Sequence, residues 1–306
     1  MKNKTLKIGT RGSALALFQA RAVQSMLREK RPDLQTELVI IKTLGEKDPK
    51  TSLVKISGEG IFTRELDTAL DEGRIDVAVH SSKDVPTDLS EGIVLAGFCP
   101  REEACEAFVS NRHARFLDMP EGARIGTGSP RRRSQILALR PDLAIVDLRG
   151  NVETRLRKLD EGQMDAVILA CAGLIRLGLE QRISERLPLD MFVPAPGQGA
   201  IGIAARSSDQ DTLSLVASIS DSQTAAAVVA ERAFLNRLGG GCKTPIACHA
   251  TFLDGRLSVH GFVSSPDGTT VITEKTAGPG DQANRLGIGL AESFLAQGAQ
   301  KILIKE

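Results

Sequence analysis

The chain has 306 residues, enough for two or three domains, and its 42% apolar and 25% charged residues are typical of a globular protein rather than a disordered one. The formal net charge of +1 argues against sequence-independent binding of nucleic acid, which depends on a surplus of basic charge. The basic residues are nevertheless unevenly chosen, with 25 Arg against 14 Lys, and only Arg binds a carboxylate through a planar, two-pronged guanidinium.

The N-terminal residues carry charge, but no apolar core or cleavage site follows them, and no later run approaches the length of a membrane span. We therefore expect a cytoplasmic protein without a membrane partner. The five cysteines, at positions 99, 105, 171, 242 and 248, form no C-x-x-C pair, which argues against a disulfide framework. The spacing of Cys242, Cys248 and His249 fits no common zinc pattern, so no metal site is predicted.

The first predicted elements place an anion site near the N-terminus. A strand at 6–10 precedes Arg11, and Ser13 is a plausible N-cap of a helix from Ala14 to about Glu29. The free amides of a helix N-terminus attract anions, and an arginine beside them favours the same ligand.

A long polar segment follows the second predicted strand, at 36–42. Residues 43–60 are rich in glycine, proline and charge, which predicts a mobile lid, with an inert surface loop as the alternative. An amphipathic helix at 61–70 then ends at Gly73 as a C-cap.

An apolar strand beginning at residue 75 runs into the charged loop 80–86. Ligands of open α/β sheets collect beyond the carboxyl ends of parallel strands, and Lys83 and Asp84 stand at this position. The alternative is that the two residues are a solvated pair that only ends the strand.

Two short motifs recur along the chain. L-D-E-G-R-I-D at 70–76 returns as L-D-E-G-Q-M-D at 159–165, and I-G-T at 8–10 returns at 125–127. Two similar α/β domains facing a common cleft explain both repeats, with 43–60 as an addition to the first. Chance similarity of short motifs is the alternative.

Three arginines begin the helix that follows the second I-G-T, with Ser129 as the predicted N-cap and Pro130 as the first helical residue. Arginines 131 to 133 oppose the helix dipole, at a cost of a few tenths to about 1 kcal/mol each, so a bound anion explains them better than helix stability does. A basic surface patch is the alternative. A nucleic-acid tag is disfavoured because the run is short and lacks aromatic neighbours.

Arginine also recurs after other predicted strand ends. Strands at 144–148 and 165–170 are each followed by a helix, the first of them capped by Asn151. The arginines placed in this way are Arg11, Arg131, Arg132, Arg149, Arg155 and Arg176. Their placement predicts a cleft lined for several carboxylates.

The remainder of the chain predicts a hinge and a small α+β domain. Prolines and glycines at 193–203 indicate a crossover back to the first domain. The later elements are an alanine-rich helix at 224–238, hairpin turns at 254–255 and 267–268, a helix at about 283–296 and a strand at 301–305. Between them Cys242 lies after three glycines and before a lysine, which predicts an accessible, reactive thiol.

Seven motifs in order resemble those of the porphobilinogen deaminases, also called hydroxymethylbilane synthases. They are I-G-T-R-G-S at 8–13, G-I-F-T-R-E-L-D at 60–67, H-S-S-K-D-V-P at 80–86, G-T-G-S-P-R-R-R-S-Q at 126–135, R-G-N-V-E-T-R-L at 149–156, P-A-P-G-Q-G-A at 194–200 and G-G-G-C-K-T-P at 239–245. Together they extend over essentially the whole chain.

The resemblance implies an α/β fold with two domains like type II periplasmic binding proteins and a small α+β C-terminal domain. The first α/β domain comprises 1–99 and 200–219 with a mobile lid near 43–60, the second comprises 100–199, and 220–306 carries the cofactor cysteine. A monomer is expected.

The resemblance also implies a cytoplasmic transferase of tetrapyrrole and heme biosynthesis. Such an enzyme joins four porphobilinogens head to tail into hydroxymethylbilane, with release of four ammonia, on a dipyrromethane cofactor that Cys242 holds through a thioether. Its partners are porphobilinogen and the growing linear pyrrole chain, with no metal, nucleic acid or membrane. Each pyrrole carries an acetate and a propionate, which agrees with the arginine-rich strand ends.

The family's site residues transfer onto matching positions of this chain. The catalytic carboxylate falls on Asp84. The cofactor-binding residues fall on Cys242, Lys83, Asp84, Thr127, Ser129, Arg131, Arg132 and Arg155. The substrate-binding residues fall on Arg11, Ser13, Arg149, Arg155, Arg176 and Gln198.

Some positions depart from the family's usual pattern, among them Leu44, Glu46 and Glu59 in the lid, Gly128 and Pro130 in the second domain, and Cys105, where arginine is common. They bear on lid contacts rather than on the reaction class. The alternative function is a cytosolic binding protein for a small polycarboxylate, which would share the arginines but would have no need of Cys242.

Overall fold

The computed structural model describes residues 5–42, 63–241 and 244–303. The predicted lid at 43–60 and the predicted cofactor cysteine, Cys242, therefore lie outside the described residues.

The described part of the first two thirds of the chain is a mixture of strands and helices. The strands are β1 (Leu6–Thr10), β2 (Thr36–Ile40), β3 (Val77–Ser81), β4 (Ile93–Phe98), β5 (Glu106–Val109), β6 (Arg124–Gly126), β7 (Ala144–Val146), β8 (Ala166–Ala170), β9 (Glu185–Leu187), β10 (Ile201–Arg206), β11 (Ile246–Leu253), β12 (Arg256–Ser264) and β13 (Val271–Gly278). The α-helices are Ala14–Lys30, Arg64–Asp71, Pro130–Leu139, Val152–Asp160, Cys171–Arg176, Gln210–Ala217, Ser222–Arg237, Ala283–Ala296 and Ala299–Leu303, and short 3-10 helices lie at Ser82–Asp84, Glu180–Arg182 and Gly280–Gln282.

Three sheets organise these strands. The first has the order β2-β1-β3-β10-β4, the second the order β7-β6-β8-β5-β9, and the third the order β11-β12-β13. In each of the first two sheets the three leading strands are parallel and the inserted fourth strand, β10 or β5, is antiparallel to its neighbours. The third sheet is antiparallel throughout. The predicted α/β class with a small α+β addition is confirmed.

The internal repeat predicted from sequence is structural. Asp76 precedes β3 and its carboxylate accepts a hydrogen bond from the Lys7 amide at 2.9 Å. Asp165 precedes β8 and its carboxylate accepts the Arg124 amide at 2.8 Å. Gly73, which ends the helix before Asp76, has φ +68°, a left-handed conformation that favours glycine. In both sheets, the repeated motif therefore connects the end of a helix to a strand that pairs in the same way.

The chain divides into two compact units, one of residues Met1–Arg101 and Ala200–Ala225 and the other of Glu102–Gly199 and Ala226–Glu306. In the first unit, β10 returns to pair with β3 and β4, as the predicted crossover requires. The second unit holds both the second α/β sheet and the antiparallel sheet. The finer division into three domains stays a prediction.

Apolar clusters pack the described sheets against their helices, and each α/β sheet contributes to two of them. In the first unit, Val23 and Leu27 of the helix Ala14–Lys30 pack with Ile8, Val77 and Ile203 of the sheet. The second sheet packs Phe108, Phe116 and Phe192 edge to face, with ring centroids 6.1 and 6.5 Å apart. Phe234 and Phe294 make a similar contact at 5.0 Å beneath the antiparallel sheet. These clusters fix the strand ends that carry the candidate site residues.

Two turn predictions are confirmed and one strand prediction is wrong. The first hairpin turns at Asp254 and Gly255, whose φ values are +50° and +75°, and the second contains Gly268 at φ +73°. The described part of the predicted strand 301–305 belongs instead to the helix Ala299–Leu303, where Ala299 and Ile302 turn toward the core. A short apolar run with helical spacing cannot be told from a buried strand by composition alone.

No single helix in the described ranges has the length and apolar character of a membrane span. One pair, Gln210–Ala217 with Ser222–Arg237, meets the length and composition test only jointly and is bent by 110°.

Candidate active site

Asp84 lies at the carboxyl end of β3, in the 3-10 helix Ser82–Asp84. The strand before it is buried between β1 and β10, and the Ser82 amide donates to the Ala200 carbonyl at 3.0 Å, which fixes the start of the turn. The Asp84 side chain is half-buried. Within the described residues, no hydrogen bond or ion pair is made by its carboxylate.

Arg11 and Ser13 follow β1, which runs parallel to β3. Because parallel strands end at the same edge of a sheet, the first unit brings these two residues to the edge that carries Lys83 and Asp84. The Ser13 hydroxyl accepts the Ala16 amide at 3.3 Å, which confirms the predicted N-cap.

His80 lies in β3, four residues before Asp84, and its side chain is buried. Burial, with a smaller contribution from the charge of Arg11, lowers the pKa of His80 from 6.5 to about 4. The imidazole is therefore neutral near pH 7. Sequence reasoning did not single this histidine out, because a histidine within an apolar strand has the pattern of a core residue.

The second unit presents a helix N-terminus at the end of β6. Ser129 caps the helix Pro130–Leu139, and its hydroxyl accepts the Arg132 amide at 3.5 Å. The buried Thr127 hydroxyl accepts the Ser129 amide at 3.2 Å, which holds the capping residue in its extended conformation. The predicted N-cap and the predicted proline at the first helical position are both confirmed.

Arg131 and Arg132 bind the two oxygens of one buried carboxylate. Nη2 of Arg131 lies 2.7 Å from Oε1 of Glu106, and Nη2 of Arg132 lies 2.6 Å from Oε2. Glu106 is fully buried and each arginine is 5% exposed. Burial lowers the pKa of Arg131, and the Glu106 charge opposes that shift. Two of the three helix-start arginines thus have an anion supplied by the chain itself, which the sequence interpretation did not anticipate.

The triad of Glu106, Arg131 and Arg132 keeps one net positive charge, since two guanidiniums share one carboxylate. Nε of Arg132 is buried and has no hydrogen-bond partner among the described residues. A buried donor without a partner costs free energy, so Nε of Arg132 is a candidate contact for a ligand.

The other candidate residues of the second unit make hydrogen bonds or ion pairs within that unit. Arg155 Nε donates to the Gly150 carbonyl at 2.8 Å, and Arg176 Nη2 donates to the Gly199 carbonyl at 2.6 Å. Gln198 is fully buried and donates to the Ala104 carbonyl at 2.8 Å. Arg149 forms an exposed pair with Asp147 at 3.0 Å. Gln198 thus anchors the loop before β10.

Sequence reasoning missed a second buried acid, Glu231. It lies in the helix Ser222–Arg237, is fully buried, and accepts the Gly197 and Ala250 amides, each at 2.6 Å. His249 Nδ1 lies 3.5 Å from the same carboxylate. A lone acid in an alanine-rich helix was the available signal. Glu231 ties the loop before β10 to strand β11 within the second unit.

A carboxylate and two thiols, which are possible metal ligands, lie close together outside these positions. The ligand atoms of Glu103, Cys105 and Cys171 all lie within 4.8 Å of one another.

Strand ends that carry an aspartate in one unit and a capped, arginine-bearing helix start in the other are typical of α/β proteins that bind anions. A family model of the porphobilinogen deaminase dipyrromethane cofactor-binding domain matches residues 6–214, and one of the C-terminal domain of the same family matches 225–296. The chain belongs to the porphobilinogen deaminase family.

Curated relatives agree over nearly the full length. A porphobilinogen deaminase of Syntrophotalea carbinolica is 50% identical over 303 residues, which are 99% of this chain and 96% of the relative. One of Geobacter metallireducens is 48% identical over 303 residues, which are 99% of this chain and 95% of the relative. Among solved structures, a periplasmic substrate-binding protein of an ABC transporter from Coxiella burnetii is similar with TM-score 0.43 and 15% identity, over 70% of this chain and 91% of that one.

Proposed function

We propose that this chain catalyses the head-to-tail joining of four porphobilinogen molecules into hydroxymethylbilane, with release of four ammonia, in tetrapyrrole and heme biosynthesis. Family membership over 99% of the chain carries the proposal. A binding protein for a small polycarboxylate, the alternative function, is not favoured by these relatives. The chain also carries the family's cofactor-binding domain, so the expected cofactor is dipyrromethane.

The described residues fit such a cofactor. A capped helix start and the unpartnered Arg132 Nε are suited to the carboxylates of a pyrrole. Cys242 would hold the group through a thioether, and Lys83, Asp84, Thr127, Ser129, Arg131, Arg132 and Arg155 would bind it. When bound, the group supplies a primer whose free pyrrole carbon receives the first substrate unit.

Arg131 and Arg132 act in this proposal as an electrostatic pair set by Glu106. The shared carboxylate fixes both guanidiniums in the helix start and leaves one positive charge over. Because the triad is already desolvated, an incoming carboxylate meets donors that need little reorganisation. Arg11, Ser13, Arg149, Arg155, Arg176 and Gln198 are the proposed substrate-binding residues.

Asp84 is the proposed catalytic residue. Loss of the substrate's aminomethyl nitrogen as ammonia leaves a positive methylene-pyrrole, and a carboxylate beside the pyrrole nitrogen stabilises that charge. The carboxylate can also accept a proton from the ring and return it. The half-buried side chain and its unoccupied carboxylate at the β3 end support this role.

We further propose that the enzyme is monomeric and cytoplasmic, with no nucleic-acid, metal or membrane partner. Its domains are those expected from the sequence: 1–99 with 200–219, 100–199, and 220–306.

The test is the intact mass of protein purified from cells that make porphobilinogen. Wild type should exceed its sequence mass by two pyrrole units, because Cys242 holds the primer. Cys242→Ser should lose the excess, whereas Cys248→Ser, at a buried thiol in β11, should keep it. An unmodified wild-type mass, or an excess retained by Cys242→Ser, would overturn the cofactor assignment.

A further inference from the structure

Cys105 and Cys171 face each other at the end of an antiparallel strand pair. Glu106, the first residue of β5, is opposite Ala170, the last residue of β8, and the two cysteines lie one position beyond. The Cys171 amide donates to the Cys105 carbonyl at 3.1 Å, so the pairing extends to them. Their Sγ atoms are 3.1 Å apart.

We propose that Cys105 and Cys171 form a reversible dithiol–disulfide pair whose oxidant is a small-molecule disulfide. Opposed residues of antiparallel strands have Cα atoms about 4.5 to 5.5 Å apart, within the range that disulfides span. The two sulfurs need to approach by about 1 Å to reach a bond length near 2.05 Å.

Exposure distinguishes the roles of the two thiols. Cys105 is half-buried, whereas Cys171 is fully buried, so an external disulfide meets Cys105 first. The hydrogen bond with Cys171 lowers the pKa of Cys105, while the same interaction and burial raise the pKa of Cys171. Because the thiolate is the nucleophile, Cys105 is the attacking residue.

The exchange balances in two steps. Cys105 loses its proton to solvent, and its thiolate attacks one sulfur of the oxidant, forming a mixed disulfide and expelling one small thiolate. Cys171 then loses its proton and attacks Sγ of Cys105, which forms the protein disulfide and expels the second small thiolate. The two protons end on the released thiols, so the oxidant is reduced by the two electrons that the protein thiols give up.

A metal ion is the competing occupant of this cluster. Glu103 could add a third ligand, but its Oε2 already accepts a hydrogen bond from Arg186 Nε at 2.7 Å. Two thiolates on tetrahedral zinc lie roughly 3.8 Å apart, given Zn–S bonds of about 2.3 Å. The observed Sγ separation of 3.1 Å is shorter than that and favours direct sulfur–sulfur bonding.

The experiment equilibrates the folded holoenzyme with glutathione buffers from fully reduced to fully oxidised, followed by acid quenching, alkylation under denaturing conditions and mass spectrometry. Wild type should lose two alkylatable thiols in a single transition, and a digest should contain one peptide pair linked through Cys105 and Cys171. Added reductant should restore both thiols.

Single substitutions of the two cysteines distinguish the two steps of the thiol–disulfide exchange. Cys171→Ser should stop at a stable glutathione adduct on Cys105, and Cys105→Ser should leave Cys171 reduced throughout. Cys248→Ser should keep the wild-type transition. The wild-type linked peptide tests the proposal even where a variant folds poorly.

Three outcomes would overturn the proposal. In one, wild type keeps both thiols in the most oxidising buffer. In another, it accumulates only a single glutathione adduct on Cys105. In the third, native mass spectrometry of the purified protein shows a metal ion whose removal by chelator is needed before either thiol reacts.

Discussion

Oε1 of Glu106 accepts a hydrogen bond from Nη2 of Arg131 at 2.7 Å, and both side chains are withdrawn from solvent. Arg132 completes the triad at 2.6 Å. A buried carboxylate between two guanidiniums holds both arginines in place, and its removal leaves two desolvated cations side by side.

We predict that Glu106→Gln destabilises the protein by about 3 kcal/mol or more, since removing one partner of a buried ion pair commonly costs about 3 to 5 kcal/mol. Thermal and denaturant unfolding measure the effect. The matched control is Glu161→Gln, because Glu161 forms an exposed pair with Arg157 at 2.7 Å and such pairs contribute little. Equal stability of the two variants would show that the triad does not hold this helix start.

Substitutions of Arg131 and Arg149 should distinguish a loss of thermal stability from a loss of ligand binding. Arg131→Leu removes both the Glu106 contact and the hydrogen bond to the Val193 carbonyl at 3.0 Å, so the melting temperature should fall along with cofactor content. Arg149→Leu removes an exposed pair and should leave the melting temperature within about 1 °C of wild type while weakening substrate binding.

Intact mass and a thermal melt on each variant check this prediction. The proposed carboxylate-binding role of Arg131 would be contradicted if Arg131→Leu carried a full complement of cofactor. That of Arg149 would be contradicted by an unchanged KM for porphobilinogen.

The local signals in the sequence predicted much of the fold. Ser13, Ser129 and Asn151 cap helices as expected, because each hydroxyl or amide oxygen accepts an amide of the first turn. The repeat around Asp76 and Asp165 predicted equivalent strand pairings, which the two sheets show. These features depend on neighbours in sequence, so a single chain reveals them.

Contacts between distant residues were not predictable in the same way. Glu106 and Arg131 are 25 positions apart, and nothing local distinguishes an acid that will be buried in a strand from one that faces water. Glu231 meets Gly197 across 34 positions for the same reason. The sequence therefore indicated which arginines are unusual and missed the acid that satisfies two of them.

Glu231 should be a stability residue of the second unit. Its two oxygens accept the Gly197 and Ala250 amides, and Glu231→Gln replaces one acceptor by a donor, which leaves a buried amide unpaired. We expect a loss of about 1 to 3 kcal/mol in the free energy of unfolding. Glu292→Gln is the control, since Glu292 pairs with Arg237 at the surface. A Glu231→Gln variant as stable as this control would refute the assignment.

Acid should weaken the fold through two histidines before it protonates most carboxylates. His80 and His260 each have a pKa lowered from 6.5 to about 4, chiefly by burial. Between these values the unfolded chain binds protons that the folded chain does not, so stability falls as pH drops from about 6.5 to about 4 and levels off below. Each histidine contributes at most about 1.4 kcal/mol per pH unit.

Denaturant unfolding at several pH values between 4.5 and 6.5 measures this slope. His80→Gln and His260→Gln should each reduce it, and the double variant should reduce it most. Hydrogen bonds with Arg124 lower the pKa of Asp165, and at Asp209 burial raises the pKa but several hydrogen bonds together outweigh it, so these acids lose their contribution only nearer pH 4 and below. A wild-type stability that stays flat across the window would contradict the burial of neutral histidines.

Asp84 should affect the chemical step far more than it affects folding or binding. In the proposed reaction, its carboxylate stabilises a positively charged pyrrole that exists only along the reaction path. The interaction is therefore stronger in the transition state than in the ground state, and its loss should lower kcat. Asp84→Asn keeps the size and can accept a hydrogen bond, but it can neither balance the charge nor take the proton. Asp84→Glu keeps the charge in a displaced position.

We therefore expect Asp84→Asn to lose nearly all turnover, by about 100-fold or more, and Asp84→Glu to retain a trace, with both variants melting near the wild-type temperature. Within the described residues, the half-buried side chain makes no hydrogen bond, so its substitution should not unfold the strand end. Single-turnover formation of enzyme-bound substrate intermediates is the measurement, with a thermal melt to exclude unfolding. Near wild-type turnover by Asp84→Asn would mean that the loop after β3 only ends the strand, and that the catalytic carboxylate lies elsewhere.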